Sequence, residues 1–360
     1  MTTRTFRKSS IKDVALRAGV STTTVSYFVN GREDVCAAET AKRIRAAIDD
    51  LQYTPSSLTR GLRHTATRTI GVCLYSPLDP DVDYGEIFFG QLWRGIVKAA
   101  DDADYSLLHY PRSVRSGSLC DSFLDGRVDG LLFHGLDYDR ARKVGRAGMP
   151  AVMLPQSSHV PDGCGAVSAD EEQTVRLALD HLFALGHRRI AHLAGPARPK
   201  ANSDTGSHET DDNALRRLLA FTERLKLEDC FDSSLIGYAD SWQDSEGKAG
   251  AVVAQWLSEP NPPTAILCAN DVIAAAAIAA ATSLGVAVPA QLSIVGIDDS
   301  ELARTGPLPI TSVAVPVEEI GRESVHCLLR LMGGEPVEAC RVAVPVTKIV
   351  VRGSTAPCGP

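Results

Sequence analysis

Residues 10–31 constrain the fold more than any other part of this 360-residue chain. Ile11, Val14, Ala15 and Ala18 recur at helical spacing, which is the apolar stripe of one short helix. Ser10 is placed to cap it, and Asp13 puts a negative charge in the first turn, where the helix dipole favours it. Gly19 predicts the stop and the tight turn that follows. Ser21 predicts the cap of a second helix, with Val25, Phe28 and Val29 turned towards the first. Thr22, Thr23, Ser26 and Tyr27 are expected to share the opposite, polar face. A helix that buries one side on its partner and offers hydroxyls and a tyrosine on the other suits a DNA major groove. These four residues are therefore candidate DNA contacts, and Arg32 joins them.

A third helix is expected from about residue 38 to 52, with Ile44, Ile48 and Leu51 closing a three-helix core. Pro55 ends it, because proline lacks an amide donor and restricts the residue before it. Ser56 can cap one more short helical turn ending at Leu62. That turn is far shorter than the ~12–15 residues an isolated helix needs in water. Gly61 weakens it by about 1 kcal/mol relative to alanine. It is expected to order only on a partner, with Ser56, Arg60 and Leu62 as further candidate DNA contacts.

Charge is divided unevenly. Residues 1–63 hold 11 Lys and Arg against 6 Asp and Glu, whereas the whole chain has 37 against 44. A basic head suits phosphate contact, and the acidic remainder would be repelled by DNA. Nine cysteines are scattered singly, with no C-x-x-C pair to suggest zinc or redox chemistry. The polar N-terminus and the lack of a long apolar run predict neither an export signal nor a membrane span, and a cytoplasmic protein.

From about residue 69 the chain alternates short apolar runs with helix-length segments. Strands are expected at 69–75, 105–110, 128–133, 151–154, 189–193, 234–238, 265–268 and 292–297, with a helix at about 86–102. This βαβ alternation predicts parallel sheets covered by helices on both faces. The strands are too many for one compact sheet, so two doubly wound lobes with a cleft between them are expected. Residues 197–212 are polar and read as a loop, either a lid or a solvated insertion. His181, His187 and His192 lack the spacing of a metal-binding pair and read as structural. No G-x-G-x-x-G, P-loop or G-x-S-x-G is present, so nothing argues for a catalytic centre or a cofactor.

The N-terminal pattern, followed by Tyr53-Thr54-Pro55-Ser56-Ser57-Leu58-Thr59-Arg60-Gly61-Leu62, resembles the lactose-repressor family of bacterial transcription regulators. Further motifs carry the resemblance along the chain: Val128-Asp129-Gly130-Leu131, Leu185-Gly186-His187-Arg188-Arg189-Ile190-Ala191, Asn270-Asp271, and Ser293-Ile294-Val295-Gly296-Ile297-Asp298-Asp299. The resemblance implies a small all-α helix-turn-helix head plus an α/β bilobed body, periplasmic-binding-protein-like, with two doubly wound parallel sheets. The head would span 1–54, a hinge helix and linker 55–68, and the body 69–354. Its N-lobe would be 69–168 and 315–342, its C-lobe 170–313 and 344–354, with a tail at 355–360. The chain would cross between lobes near 168–170, 313–315 and 343–344. Paired hinge helices would enter the minor groove, with Leu62 wedged into the central base step.

By the same resemblance, ligand contacts fall on Phe89, Arg217, Trp242, Asn270, Asp271 and Asp298. Each has a plainer reading: Phe89 as core, Arg217 as a solvated helix residue, Asp271 as a helix cap, Asp298 as a turn residue. Pro155 stands where the family usually has an acidic residue. The implied function is a ligand-responsive regulator, a repressor that binds a near-palindromic operator in double-stranded DNA as a homodimer. Its effector would be a small molecule, a sugar or sugar derivative, and the protein would be nucleoid-associated when on DNA. The alternative is a sugar-handling α/β enzyme or a solute-binding protein with an added DNA-binding head.

Overall fold

In a computed structural model, which describes residues 10–29, 36–51, 66–74, 86–110, 123–134, 138–155, 160–197, 212–244 and 247–359, the first helix begins with a reciprocal cap. The Asp13 amide donates to Ser10 Oγ at 3.3 Å, and the Ser10 amide donates to Asp13 Oδ2 at 2.8 Å. This satisfies two amides that the first turn leaves unpaired. Helix α1 (Ile11–Ala18) ends at Gly19, whose φ of 66° is the left-handed conformation that glycine adopts without strain. The Thr24 amide donates to Ser21 Oγ at 3.1 Å and caps α2 (Thr22–Val29). Val14, Ala15, Ala18, Val25 and Phe28 close a core with Ala41, Ile44 and Ala47 of α3 (Ala38–Asp50). Ile48 and Leu51 are only partly buried beside it.

The chain divides into two units, residues 1–67 and 68–360. The second contains both expected sheets. The first sheet uses β1 (Thr69–Cys73), β2 (Ser106–His109), β3 (Gly130–His134), β4 (Ala151–Leu154), β5 (Cys164–Ala169) and a late strand, β11 (Arg341–Val344). Its order is β11-β5-β4-β3-β1-β2, and every pairing is parallel. The second uses β6 (Ile190–Ala194), β7 (Ile236–Tyr238), β8 (Ala265–Cys268), β9 (Ser293–Ile297), β10 (Thr311–Val313) and β12 (Ile349–Val350), in the order β12-β10-β9-β8-β6-β7. Only its edge pairing, β10 with β12, is antiparallel. In both sheets the strand order reverses beside the first strand, which is where such folds bind ligands, beyond the strands' carboxyl ends.

Two strands that the sequence did not announce, at 311–313 and 341–344, belong to the sheets. Ala343 and Val344 pair with Ser168 and Ala169 inside the first sheet, and Val313 pairs with Ile297 inside the second. The last crossing therefore lies after Val344 rather than at 343–344. The Asp170 amide donates to the Val344 carbonyl at 2.9 Å, tying two of the crossings together. The expected tail at 355–360 also needs correction. Ser354 is fully buried, and its hydroxyl donates to the Ile294 carbonyl at 2.6 Å and accepts from the Thr311 amide at 2.8 Å. The Ala356 amide donates to Ser293 Oγ at 3.1 Å, and the Cys358 amide to the Leu185 carbonyl at 2.7 Å. Backbone donors and acceptors find partners here, so the segment is laced to the C-lobe.

One contact in the first lobe is unusually close. Helix α4 (Glu86–Asp102) lies against α11 (Val317–Met332), and each presents a glycine to the other's backbone. A Cβ at Gly95 would stand 1.9 Å from the Glu318 carbonyl oxygen, and one at Gly321 would stand 2.2 Å from that of Leu92.

Candidate functional site

On the head, Thr22 and Thr23 are exposed, and Tyr27 keeps 38% of its surface open. Ser26 is buried at 7%, which corrects its expected place on the outer face. At 100° per residue it lies beside Val29, on the shoulder of the buried stripe rather than opposite it. Arg32, Ser56, Arg60 and Leu62 lie outside the described residues, as does most of the polar loop at 197–212.

In the body, five of the six candidate ligand residues converge at the carboxyl ends of β6, β8 and β9. Phe89 does not: it is 4% exposed and sits in the core, edge-on to Phe88 at 5.5 Å. Asn270 caps α9 (Asp271–Ser283), its Oδ1 accepting from the Ile273 amide at 2.8 Å. Its Nδ2 donates to the Trp242 carbonyl at 2.9 Å. Asp271 is 1% exposed. It accepts from Ser312 Oγ at 2.6 Å and from the Ser300 amide at 2.7 Å. A Cβ at Gly296 would lie 2.1 Å from its Oδ1, so only glycine leaves room for it. The cap is therefore Asn270 and not Asp271 as expected; Asp271 instead holds the loop after β9 through Ser300 and Ser312.

Asp298 differs. It has φ of 104°, a backbone conformation that a side chain rarely tolerates. Its amide donates to the Val313 carbonyl at 2.9 Å, but its carboxyl has no hydrogen bond among the described residues. Part of the residue is open to solvent, yet burial of the carboxyl pushes its pKa up to about 6. Arg217 opposes that shift and Asp271 adds to it. Burial likewise raises Asp271 to about 6, with Ser312 and Ser300 holding it down. A strained residue whose carboxylate lacks a partner is the mark of a group kept for something else.

Arg217 is not the solvated helix residue of the plainer reading. On α7 (Asp212–Leu227) it is 4% exposed, and it reaches Glu171 through Nε at 2.6 Å and Nη2 at 3.2 Å. Its Nη1 donates to the Ala269 carbonyl at 2.6 Å, and its guanidinium lies 5.6 Å from the Trp242 ring centre. Trp242 in turn fills the space a side chain at Gly195 would need, which comes within 3.0 Å of the indole. Glu171, at the start of α6 (Glu171–Ala184), escaped the sequence reading because its partner is 46 residues away.

The three histidines have structural surroundings. His187 bonds Thr264 Oγ1 and Ser293 Oγ, each at 3.0 Å, and His181 bonds Thr355 Oγ1 at 3.0 Å. His192 stacks on Phe221 at 4.8 Å and bonds the Leu267 carbonyl at 2.9 Å. Burial holds it neutral, pushing its pKa down to about 4. No group of three potential metal ligands occurs among the described residues.

A helix-turn-helix head and two doubly wound lobes, with a strained carboxylate at their strand ends, have close counterparts. Residues 10–56 match the bacterial regulatory proteins of the lacI family. Residues 68–210 match the periplasmic binding proteins and sugar binding domain of that family, and 179–355 a periplasmic binding protein-like domain. The HTH-type transcriptional repressor CytR of Escherichia coli strain K12 is 30% identical over 355 residues, covering 96% of each chain. The chain belongs to the lacI family of bacterial regulatory proteins.

This lacI-family chain is also 29% identical to the HTH-type transcriptional repressor PurR of Photobacterium profundum, covering 89% of this chain and 91% of that one. Among solved structures, the lac repressor dimer bound to operator and an anti-inducer superposes with a TM-score of 0.75. It is 28% identical, covering 97% of this chain and 100% of that one. The transcriptional regulator CelR in complex with cellobiose gives 0.66 at 26% identity, covering 96% and 100%. The matched relatives are repressors, and this family member is a regulator rather than an enzyme. No helix among the described residues is long and apolar enough to cross a membrane.

Proposed function

We propose that the protein is a cytoplasmic, ligand-responsive transcriptional repressor that binds a near-palindromic operator as a homodimer. Its affinity for DNA is controlled by a sugar or sugar derivative in the cleft between the body's lobes. The observation that carries this reading is the Asp298 carboxyl, unpartnered and strained at the strand ends of a body whose chain begins with a helix-turn-helix. Sugar hydroxyls are donors, and an ionised carboxylate accepts from two of them. Trp242 supplies an aromatic face for the sugar's C–H groups.

On the head, Thr22, Thr23 and Tyr27 read base edges. Thr22 and Thr23 lie in the N-terminal half of the second helix, the part that meets bases in such motifs, and Tyr27 lies one turn beyond Thr23 on the same side. Hydroxyls both donate and accept, so they discriminate less sharply than a bidentate arginine. Ser26, buried, supports the helix instead. Ser56, Arg60 and Leu62 act at the hinge, with Leu62 the minor-groove wedge that unstacks a base step and bends the duplex. The small side chains of α9 allow a second copy's helix to come close, and Ala275, Ala276 and Ile278 keep partly open surface for it. Two copies then double a site that one helix-turn-helix covers only in part. On DNA the protein is nucleoid-associated.

Two measurements test this. Selection from random duplexes should return a near-palindrome whose binding by the purified protein changes with sugar. A monomer in sedimentation at micromolar concentration, or no recovered consensus, would reject the reading. Tyr27→Ala should change one position in each half-site, costing about 1–3 kcal/mol on the preferred base. If the selected consensus is unchanged, Tyr27 is not a reader.

A further inference from the structure

The pair formed by Glu171 and Arg217 bears on which molecules the cleft admits, on the reading that this cleft is the effector site. Their side chains are 1% and 5% exposed. Two N–H groups of the guanidinium reach the two carboxylate oxygens, and a third reaches the Ala269 carbonyl. A cation held in this way is neutralised inside the protein. An incoming anion drawn to Arg217 would also face Glu171 across a few ångströms of poorly screened surroundings, where like charges repel strongly.

The other described acids nearby make this worse for an anion. Asp298 and Asp271 stand at the same strand ends; Asp298 feels the charges of Arg217 and Asp271, and Asp271 feels that of Asp299. Glu171 is thus bonded to Arg217 and Asp298 feels its charge, and with Asp271 acting on Asp298 these four groups sum to a negative charge when ionised. Glu171 also follows Asp170, whose amide is bonded to Val344 at a crossing between lobes. The arginine is anchored to that crossing.

We propose that Glu171 is a specificity-determining residue that turns anionic effectors away. Phosphorylated sugars, sugar acids and nucleotides are rejected, and the molecule admitted is neutral and rich in O–H or N–H donors.

Inorganic phosphate is the probe. Thermal midpoints of the full chain are measured in phosphate and in chloride at matched ionic strength. Phosphate stabilises many proteins by exclusion from their surface, so the reference is Glu171→Gln with Arg217→Gln, which removes both charges together. The wild type should match this double variant, showing only the general phosphate effect. Glu171→Gln alone should bind phosphate about tenfold more tightly or better, because the acid bonded to the guanidinium no longer repels the anion there. A phosphate-specific rise in the wild type beyond the double variant would overturn the proposal, and so would a folded single variant with no gain. If the single variant fails to fold, the comparison of wild type with the double variant decides alone. Operator binding is read on the same samples. Normal operator binding with phosphate-specific stabilisation of the wild type rejects the role of Glu171 and leaves the regulator reading intact. Absent operator binding rejects that reading instead.

Discussion

Gly95→Ala and Gly321→Ala are each expected to cost the body about 3 kcal/mol or more, at the upper end of what overpacking does. A methyl at either position would stand about 2 Å from a carbonyl oxygen of the facing helix, Glu318 or Leu92. Both obstacles are backbone, so no rotamer change relieves the clash and the helices must part. Alanine is a better helix former than glycine by about 1 kcal/mol, which is too little to offset that. Gly90 provides the control. It lies on the same helix with nothing within 4 Å of its added Cβ, so Gly90→Ala should be neutral or slightly stabilising. Urea midpoints for the three variants check this, and equal midpoints would mean the two helices are not held in this register.

Asp298→Asn is expected to abolish the effector response and to make the protein more stable. With the carboxylate gone, the difference in operator affinity between effector-free and effector-saturated protein should vanish, because a ligand shifts an equilibrium only through unequal binding to its states. The stability change follows from the raised pKa. Asp298 titrates from 3.8 unfolded to about 6 folded, so the folded state holds its proton more tightly. That contribution is fully present below pH 4 and is lost as pH rises through 6. At pH 8 the parent therefore carries an ionised carboxylate at a cost of up to about 3 kcal/mol, an upper bound because part of the residue is open. Asn escapes this cost. The variant's advantage in thermal midpoint should be large at pH 8 and shrink towards pH 4. An advantage independent of pH would refute the assignment of burial to this carboxyl. Effector affinity of the parent should likewise weaken below pH 6, as the acceptor is protonated.

The sequence reading recovered most of the body's strands because they are unbroken apolar runs, such as Ala265–Cys268 and Ala151–Leu154. It did not read Cys164–Ala169 as a strand. The segment is Cys-Gly-Ala-Val-Ser-Ala, small residues with weak strand preference, and only its place deep in the sheet makes it one. The helix caps at Ser10 and Ser21 were legible because capping is decided within four residues. The site was legible only in part. Asp298 and Arg217 could be named, but what they do depends on partners far along the chain. Glu171 lies 46 residues from Arg217, and Ser312 lies 41 from Asp271. Nothing local announces either pairing. Ser26 failed for the opposite reason: on an eight-residue helix, a residue 60° from the stripe is still covered by its neighbours.

The last strands of the two sheets have a consequence for how the protein is made. The first sheet takes its edge strand from Arg341–Val344, the second from Ile349–Val350, and Ser354 bonds into the second sheet's interior. All three lie within residues 341–354, far along the chain from the first strands of the two sheets at Thr69 and Ile190. A chain is made from its N-terminus, so neither sheet can be completed until these residues have left the ribosome. The core of the head, ending near residue 47, has emerged long before. Each newly made molecule therefore passes through a period with a finished head on an unfinished body, before the part that answers to the effector exists.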